Sequence, residues 1–237
     1  MNNIVAFYEA YDEEGRLDRH PVEFLVTTYL LDAVIVPGAS ILDVAGGTGK
    51  YAAYYALKSH PVTILDLSPK HVEQARAKLS QMGLDHVETL IGDARDLSRF
   101  ANECFGVVLC MGPIYHLSDK DARAVIAECL RVLRPDGLLA MAYVNKYPDW
   151  EAGKYAEHFV HRSAEEMEQI IGEFPVGLDC HAPTDGPVYE ELAALLSDCG
   201  EDTVKSSAWL EQNCSIIEDS MGLDTCIHGL LIGKKIA

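Results

Sequence analysis

The middle of the chain alternates short apolar runs with amphipathic stretches. Apolar runs at 40–44, 62–67, 87–91, 105–111 and 138–144 predict five strands, with the third and fourth buried on both faces. Helical periodicity separates them, as in the segment that Ser68 caps and Gly83 ends. An RPDG turn leads into the fifth strand. This alternation predicts an α/β fold, with a parallel sheet covered by helices on both faces.

The pattern is less regular outside residues 38–144. Residues 1–37 look helical and are expected to cover the carboxyl edge of the sheet. Residues 145–237 contain an exposed, charged helix at 164–171, a strand near 177–182, two helical stretches between 188 and 219, and an apolar closing strand at 226–236. We expect one domain over 1–237: a helical cover, a ligand-binding core at 38–144, and a substrate-side insertion with closing strands.

Composition narrows the range of functions. The 37 acidic residues outnumber the 19 basic ones, for a formal charge of −18, and such a charge repels nucleic acid. No run reaches the roughly 18 to 20 apolar residues of a membrane helix, and the amino terminus lacks a signal pattern, so we expect a cytoplasmic protein. The seven cysteines are scattered without a CxxC pair, which predicts neither disulfides nor a metal site.

The run ILDVAGGTGKYA takes the first strand directly into glycines and then a helix. Such a turn lets the backbone approach a ligand and directs free amides at a negative group. Gly47, Gly49 and Ala52 also satisfy the GxGxxA spacing of nicotinamide and flavin enzymes. Asp43, at the end of the strand, would repel a pyrophosphate and suit a cationic ligand instead. Alternatively, Asp43 only caps the turn.

Two further acidic residues follow successive strands. Asp66, after the second, is placed to accept both hydroxyls of a ribose, in either class of cofactor. Asp93, in GDARDL, is suited to accept a hydrogen bond from an adenine amino group, with the Ala94 amide facing the ring. Either carboxylate is alternatively a turn residue.

These segments together resemble the class I S-adenosylmethionine-dependent methyltransferases over residues 38–144. DVAGGTG stands where that family usually has DxGxGxG, ILDLS matches its acidic second strand, GDARDL its adenine segment, and ECLRVLRPDGLLAMAYV its helix and fifth strand. Ala45 replaces the first glycine, which puts the local backbone angle in question. The fourth-strand segment LCMGPIYHL resembles a bacterial branch with GPLYHL-like sequences.

The resemblance implies a doubly wound, mostly parallel, seven-stranded sheet of the Rossmann-like methyltransferase type, and S-adenosyl-L-methionine as cofactor. It implies that Asp43, Gly47 and Gly49 shape the methionine end, that Asp66 binds the ribose, and that Leu67, Asp93 and Ala94 contact the adenine. The predicted cofactor-binding set also includes Ala45, Gly46, Met111, Tyr11 and Arg16.

His116, just past the fourth strand, is the best candidate for a base because that loop should face the methyl group and imidazole titrates near neutrality. Tyr115 beside it would orient the acceptor. Alternatively, both residues only pack or cap the next helix.

The amino-terminal segment supplies candidates for closing over the cofactor: Tyr8, Tyr11 and Arg16. Arg16 would reach the methionine carboxylate through its fork of donors. Alternatively, it forms a surface ion pair with its acidic neighbours Asp12, Glu13 and Glu14.

The main hypothesis is methyl transfer to an oxygen, nitrogen or sulfur atom of a small molecule, by a monomer or homodimer without a metal. The alternatives are an NAD(P)-dependent oxidoreductase and a non-catalytic protein that binds S-adenosylmethionine.

Overall fold

The computed structural model describes residues 2–10, 15–146, 158–199, 203–212 and 222–236. Its helices are α1 Asn2–Ala10, α2 Arg16–Arg19, α3 Pro21–Asp32, α4 Lys50–Leu57, α5 Pro69–Gln81, α6 Asp119–Val132, α7 Ala164–Ile171, α8 Glu190–Cys199 and α9 Thr203–Gln212. Its strands are β1 Ile41–Val44, β2 Val62–Asp66, β3 Glu88–Ile91, β4 Phe105–Cys110, β5 Leu133–Val144, β6 Val176–Pro183 and β7 His228–Lys235. Throughout those ranges, every helix falls short of the length and apolarity needed to cross a bilayer.

The seven strands form one sheet in the order β3-β2-β1-β4-β5-β7-β6. Strands β1 to β5 are parallel, and β7 runs antiparallel to both of its neighbours, β5 and β6. The predicted doubly wound, mostly parallel, seven-stranded sheet with a helical amino-terminal cover is confirmed. The strand order reverses between β1 and β4, so a crevice opens beyond their carboxyl ends, where open α/β sheets bind ligands.

Alternation along β1 sends its side chains into two cores. Ile41 packs with α3, α4 and α5 on one face, whereas Leu42 and Val44 pack with α6 and α7 on the other. By the same alternation Asp43 faces the first core, although it is a carboxylate. A charged side chain at that place is costly unless it is paired or hydrogen-bonded.

The structure corrects two predictions about strands. β3 is the edge strand, with Glu88 exposed and Ile91 53% exposed, so it is not buried on both faces. β5 begins at Leu133 rather than after an RPDG turn, because Leu133 is fully buried and pairs with Phe105. The pairing register between β4 and β5 then shifts between Phe105 and Val107, which forms a bulge in β5. Asp136 lies in this bulge with φ 58°.

Helix α7 is also more buried than its charged sequence predicts. Ser163 and Glu166 form a capping box at its start. Met167, Ile170 and Ile171 form a buried face against the second core. The charged residues occupy only the outer side, so α7 is an amphipathic part of the sheet's cover.

Candidate functional site

The glycine-rich turn after β1 is held against the end of β2. The amide of Ala45 donates to the Leu65 carbonyl over 2.7 Å, and the amide of Gly47 donates to Asp66 Oδ2 over 2.9 Å. Ala45, Gly47 and Gly49 all have positive φ, at 56°, 55° and 78°. Ala45 therefore adopts the left-handed conformation that usually favours glycine, at a cost of about 1–2 kcal/mol.

Two glycines are required by close approach. A Cβ atom on Gly46 would lie 2.7 Å from Asp43 Oδ2, and one on Gly112, after β4, would lie 3.0 Å from the Ala45 carbonyl oxygen. The turn thus packs directly over Asp43 on one side and against the β4 loop on the other. Gly49 instead is the N-cap residue of α4, where a Cβ would lie 3.1 Å from the side chain of Ile64.

Asp43 is the least satisfied polar side chain at this edge. It is 1% exposed, and neither carboxylate oxygen makes a hydrogen bond within the described residues. Burial, and then repulsion from Asp66, raises the pKa of Asp43 from 3.8 to about 7, against a smaller lowering by the nearby backbone amide of Ala52 in α4. A carboxylate that only capped the turn would accept a loop amide, so the geometry favours an additional partner.

Asp66 is already partly engaged. Besides the Gly47 amide, it accepts the amide of Ser68 on Oδ1 over 2.8 Å, and Nδ1 of His71 lies 3.4 Å from the same oxygen. His71 is 3% exposed, and its Nε2 has no hydrogen-bond partner within the described residues. Sequence analysis did not single out His71, because a histidine in the first turn of a helix carries no distinctive signal.

Asp93 is ionised and paired with its near neighbour. It accepts the backbone amide of Arg95 over 3.0 Å, and its Oδ2 lies 2.7 Å from the Arg95 guanidinium. These hydrogen bonds lower the pKa of Asp93 below its usual value. Arg95 also reaches Asp121 at the start of α6, over 3.4 Å. Asp93 therefore belongs to a charged cluster at the rim of the site.

Two adjoining cavities flank the glycine-rich turn, one of about 210 Å³ and one of about 50 Å³. The predicted site residues that line the larger are Ala45, Gly47, Asp66, Leu67, Asp93, Ala94, Tyr115 and His116. Those that line the smaller are Arg16, Asp43, Ala45, Gly46, Gly47, Met111 and Tyr115. The structure therefore brings these predicted residues together, whereas Gly49 lines neither cavity and Tyr11 lies outside the described residues.

The larger cavity is mainly apolar and the smaller is charged. Apolar residues line the larger cavity. They come from α1, from the carboxyl end of β2 and from the loop after β4: Ile4, Val5, Leu65, Leu67, Pro113 and Leu117. Lys50 and Lys78 join Arg16 around the smaller. Sequence analysis missed both lysines, because their helices give no sign of which face meets the crevice.

Arg16 makes an ion pair inside the protein. Its guanidinium donates to both oxygens of Glu23, over 2.8 and 3.2 Å. Burial alone would raise the pKa of Glu23, but His228 and Arg16 lower it to about 2. His228 in turn lies 2.5 Å from Asp185. Arg16 thus faces the smaller cavity from within a buried charged network.

His116 has both ring nitrogens engaged. Nδ1 lies 2.8 Å from the His158 carbonyl oxygen, and Nε2 lies 2.6 Å from the hydroxyl of Tyr8 in α1. Burial lowers the pKa of His116 from 6.5 to about 4. The expectation that it titrates near neutrality is therefore wrong, because the surroundings exclude the water that would solvate an imidazolium.

Comparisons with known proteins agree with this architecture. A family model described as a methyltransferase domain matches residues 41–137. Methyltransferase GfsG from Streptomyces halstedii is 33% identical over 192 residues, which cover 73% of this chain and 68% of that protein. The chain therefore belongs to the methyltransferase family, with the class I fold.

Other relatives match a shorter part of the chain or have a lower sequence identity. A ubiquinone biosynthesis O-methyltransferase from Xanthomonas campestris pv. campestris is 31% identical over 120 residues, 51% of this chain and 49% of that protein. The chain thus spans about half the length of such relatives. The solved structure of a protein from Pyrococcus horikoshii OT3 superposes with a TM-score of 0.68 at 18% identity, covering 97% of this chain and 98% of that one.

Proposed function

We propose that this protein binds S-adenosyl-L-methionine and transfers its methyl group to a small-molecule acceptor. The observation that carries the proposal is the buried carboxylate of Asp43, which has no hydrogen bond within the described residues and lines the smaller cavity. A ligand ammonium group is the partner that such a carboxylate lacks. The amino-acid end of the cofactor supplies that group.

The two cavities match the two ends of the cofactor. The smaller combines Asp43 with Arg16, Lys50 and Lys78, which suits a group carrying both an ammonium and a carboxylate. The larger is mainly apolar and is lined by Asp66, Leu67 and Asp93, which suit an adenine ring and a ribose, as well as by Tyr8, Tyr115 and His116. Gly47 lines both cavities, so a molecule that occupies both would pass over the glycine-rich turn.

When bound, the cofactor supplies an electrophilic methyl group on a positively charged sulfur. The protein's own contribution is orientation and exclusion of water. Tyr115 lines both cavities and is the residue we assign to orienting the acceptor. His116, held neutral with a lone pair on Nε2, is the group we assign to accepting its proton.

The acceptor we favour is a small molecule that is methylated on oxygen. The names of the ubiquinone biosynthesis O-methyltransferase relatives support oxygen as the attacking atom, and the charge of −18 argues against nucleic acid. The Gly112–Leu117 run, GPIYHL, supports placing the chain in the bacterial branch with GPLYHL-like sequences.

Isothermal titration tests the cofactor directly. The proposal predicts saturable binding of S-adenosylhomocysteine, and no heat above the buffer blank from NADH, whose pyrophosphate Asp43 would repel. Gly46→Ala is expected to abolish the heat from S-adenosylhomocysteine, because its Cβ would collide with Asp43. Gly177→Ala serves as a control, since Gly177, like Gly46, lacks a positive φ, and a Cβ there would meet its nearest atom, on Ile236, only at 3.9 Å. Binding of NADH in place of S-adenosylhomocysteine would overturn the proposal.

A further inference from the structure

The direction of the hydrogen bonds at His116 is fixed by its partners. The His158 carbonyl can only accept, so Nδ1, 2.8 Å away, carries the ring proton. Nε2 then presents a lone pair, and the Tyr8 hydroxyl donates to it over 2.6 Å. His116 is therefore built to accept a hydrogen bond from a hydroxyl group at this position.

The group that makes this hydrogen bond is a phenol from outside the sheet. Tyr8 belongs to α1 and is 108 residues away from His116 in sequence. Its ring lies between two imidazoles in the cavity wall, with centroids 5.2 Å from His71 and 5.3 Å from His116. Its hydroxyl thus reaches across the crevice to the loop that follows β4.

Aromatic rings pack against the His116 ring and its neighbour Tyr115. Phe159 lies 4.9 Å from the His116 ring and stacks on Tyr115 at 5.7 Å with an interplanar angle of 20°. Phe7 meets the edge of Phe159 at 6.2 Å. Of these rings, only Tyr115 and His116 line the larger cavity, and a flat face beside one hydrogen-bond acceptor suits a planar ring with a hydroxyl group.

The acidic groups that line the larger cavity with His116 already have partners. Asp66 accepts two amides, and Asp93 is held by Arg95. An aromatic hydroxyl needs only the one acceptor that His116 offers.

We propose that Tyr8 occupies the acceptor subsite with its own phenol, and that the acceptor is an aromatic hydroxyl compound whose O–H displaces Tyr8 from His116 Nε2. This inference rests on the proposed function for the reaction that follows. In the complex, α1 withdraws the Tyr8 ring, and Nε2 holds the acceptor's proton while Nδ1 stays anchored to the His158 carbonyl.

The test replaces the Tyr8 side chain with a free molecule of the same shape. Tyr8→Ala removes the phenol, and p-cresol is the molecule that restores it. Tyr8 is half-buried on a helix outside the sheet, so the core should fold unchanged, as circular dichroism will check. We expect p-cresol to bind Tyr8→Ala at least about tenfold more tightly than toluene, and more tightly than it binds the wild type.

Matched variants and probes identify what carries the preference. Phe7→Ala removes a ring from the same helix but leaves the Tyr8–His116 hydrogen bond, and it should show no preference for p-cresol over toluene. Adding His116→Phe to Tyr8→Ala should abolish the preference. The non-aromatic 4-methylcyclohexanol should bind Tyr8→Ala several-fold more weakly than p-cresol.

Three outcomes would overturn the proposal. Tyr8→Ala could bind p-cresol and toluene equally, the preference for p-cresol could survive the addition of His116→Phe, or Tyr8→Ala could bind 4-methylcyclohexanol as tightly as p-cresol.

A second measurement does not depend on truncating Tyr8. In the intact protein, ¹⁵N resonances of His116 should show a protonated Nδ1 and a bare Nε2, and Tyr8→Phe should shift Nε2; a proton on Nε2 contradicts the proposal.

The two proposals fail separately. The p-cresol titrations need no cofactor, so they report on the phenol subsite alone. Titration of the wild type with S-adenosylhomocysteine reports on the proposed function alone.

Discussion

Asp43→Asn separates the stability of the protein from its capacity to bind the cofactor. The substitution keeps the size of the side chain and removes its charge, at a site where the carboxylate oxygens have no described hydrogen-bond partner. We expect the variant to be more stable than the wild type at alkaline pH and to bind S-adenosylhomocysteine more weakly.

The magnitude follows from the pKa of Asp43, which burial raises from 3.8 to about 7. Between these values the folded protein binds more protons than the unfolded chain, so its free energy of unfolding falls as pH rises. Each pH unit corresponds to about 1.4 kcal/mol. The unpaired carboxylate therefore costs the wild type up to about 4 kcal/mol above pH 7, a cost that is absent below pH 4 and in Asp43→Asn.

Urea denaturation at pH 4.5, 6 and 8 measures this difference. Asp43→Asn should gain stability over the wild type progressively across the three values, whereas Asp85→Asn, an exposed control, should follow the wild-type profile. Parallel profiles for Asp43→Asn and the wild type would refute the reasoning, because they would mean that Asp43 ionises as freely as it does in the unfolded chain.

Calorimetry completes the comparison. The ammonium group of S-adenosylhomocysteine needs the ionised form of Asp43, so wild-type affinity should rise from pH 6 to pH 8, with release of a proton on binding below pH 7. Asp43→Asn should bind at least about tenfold more weakly at pH 8. Unchanged affinity at pH 8 would show that Asp43 does not contact the ligand.

Three further changes test other parts of the site. Ala45→Gly removes the strain of a left-handed residue at φ 56°, a gain of about 1–2 kcal/mol. Because a glycine also increases the conformational entropy of the unfolded chain, the net gain in the free energy of unfolding, measured in urea, should be about 0.5–1 kcal/mol. Gly112→Ala places a Cβ 3.0 Å from the Ala45 carbonyl and should weaken binding of S-adenosylhomocysteine about tenfold by calorimetry, with unchanged affinity counting against the packing argument. Burial opposes charge on His228, but Glu23 and Asp185 raise its pKa above 6.5; this stabilisation is fully present below pH 6.5 and lost as pH rises through the raised pKa. His228→Gln should therefore cost about 1.5–3 kcal/mol at pH 6 and clearly less at pH 9, and an equal cost at both would contradict the assignment.

The position of β3 shows that the local pattern of apolar residues does not predict where a strand lies in the sheet. The apolar residues of 87–91 correctly predict a strand, but Ile91 is 53% exposed because β3 is the edge strand of the sheet that the described residues form. Whether a strand lies in the centre or at the edge depends on pairing with distant segments. Alternation of apolar and polar residues does not encode that pairing directly.

The candidate site divides in the same way. The glycines and strand-end aspartates were recognisable from sequence because one turn and three neighbouring strand ends dictate their placement. The contact between Tyr8 and His116, 108 residues apart, was not recognisable. Nor was the ion pair that Arg16 makes with Glu23, which lies one helix further along the chain.

The sequence by itself determined the succession of strands and helices, the parallel sheet and the crevice after β1, because each depends on short-range periodicity and turn chemistry. Only the tertiary structure decided the chemical state of the groups in that crevice. The pKa values of Asp43 and His116, about 7 and about 4, move in the directions that burial imposes on an acid and a base. Burial depends on how distant segments pack, and so it is a property of the folded chain.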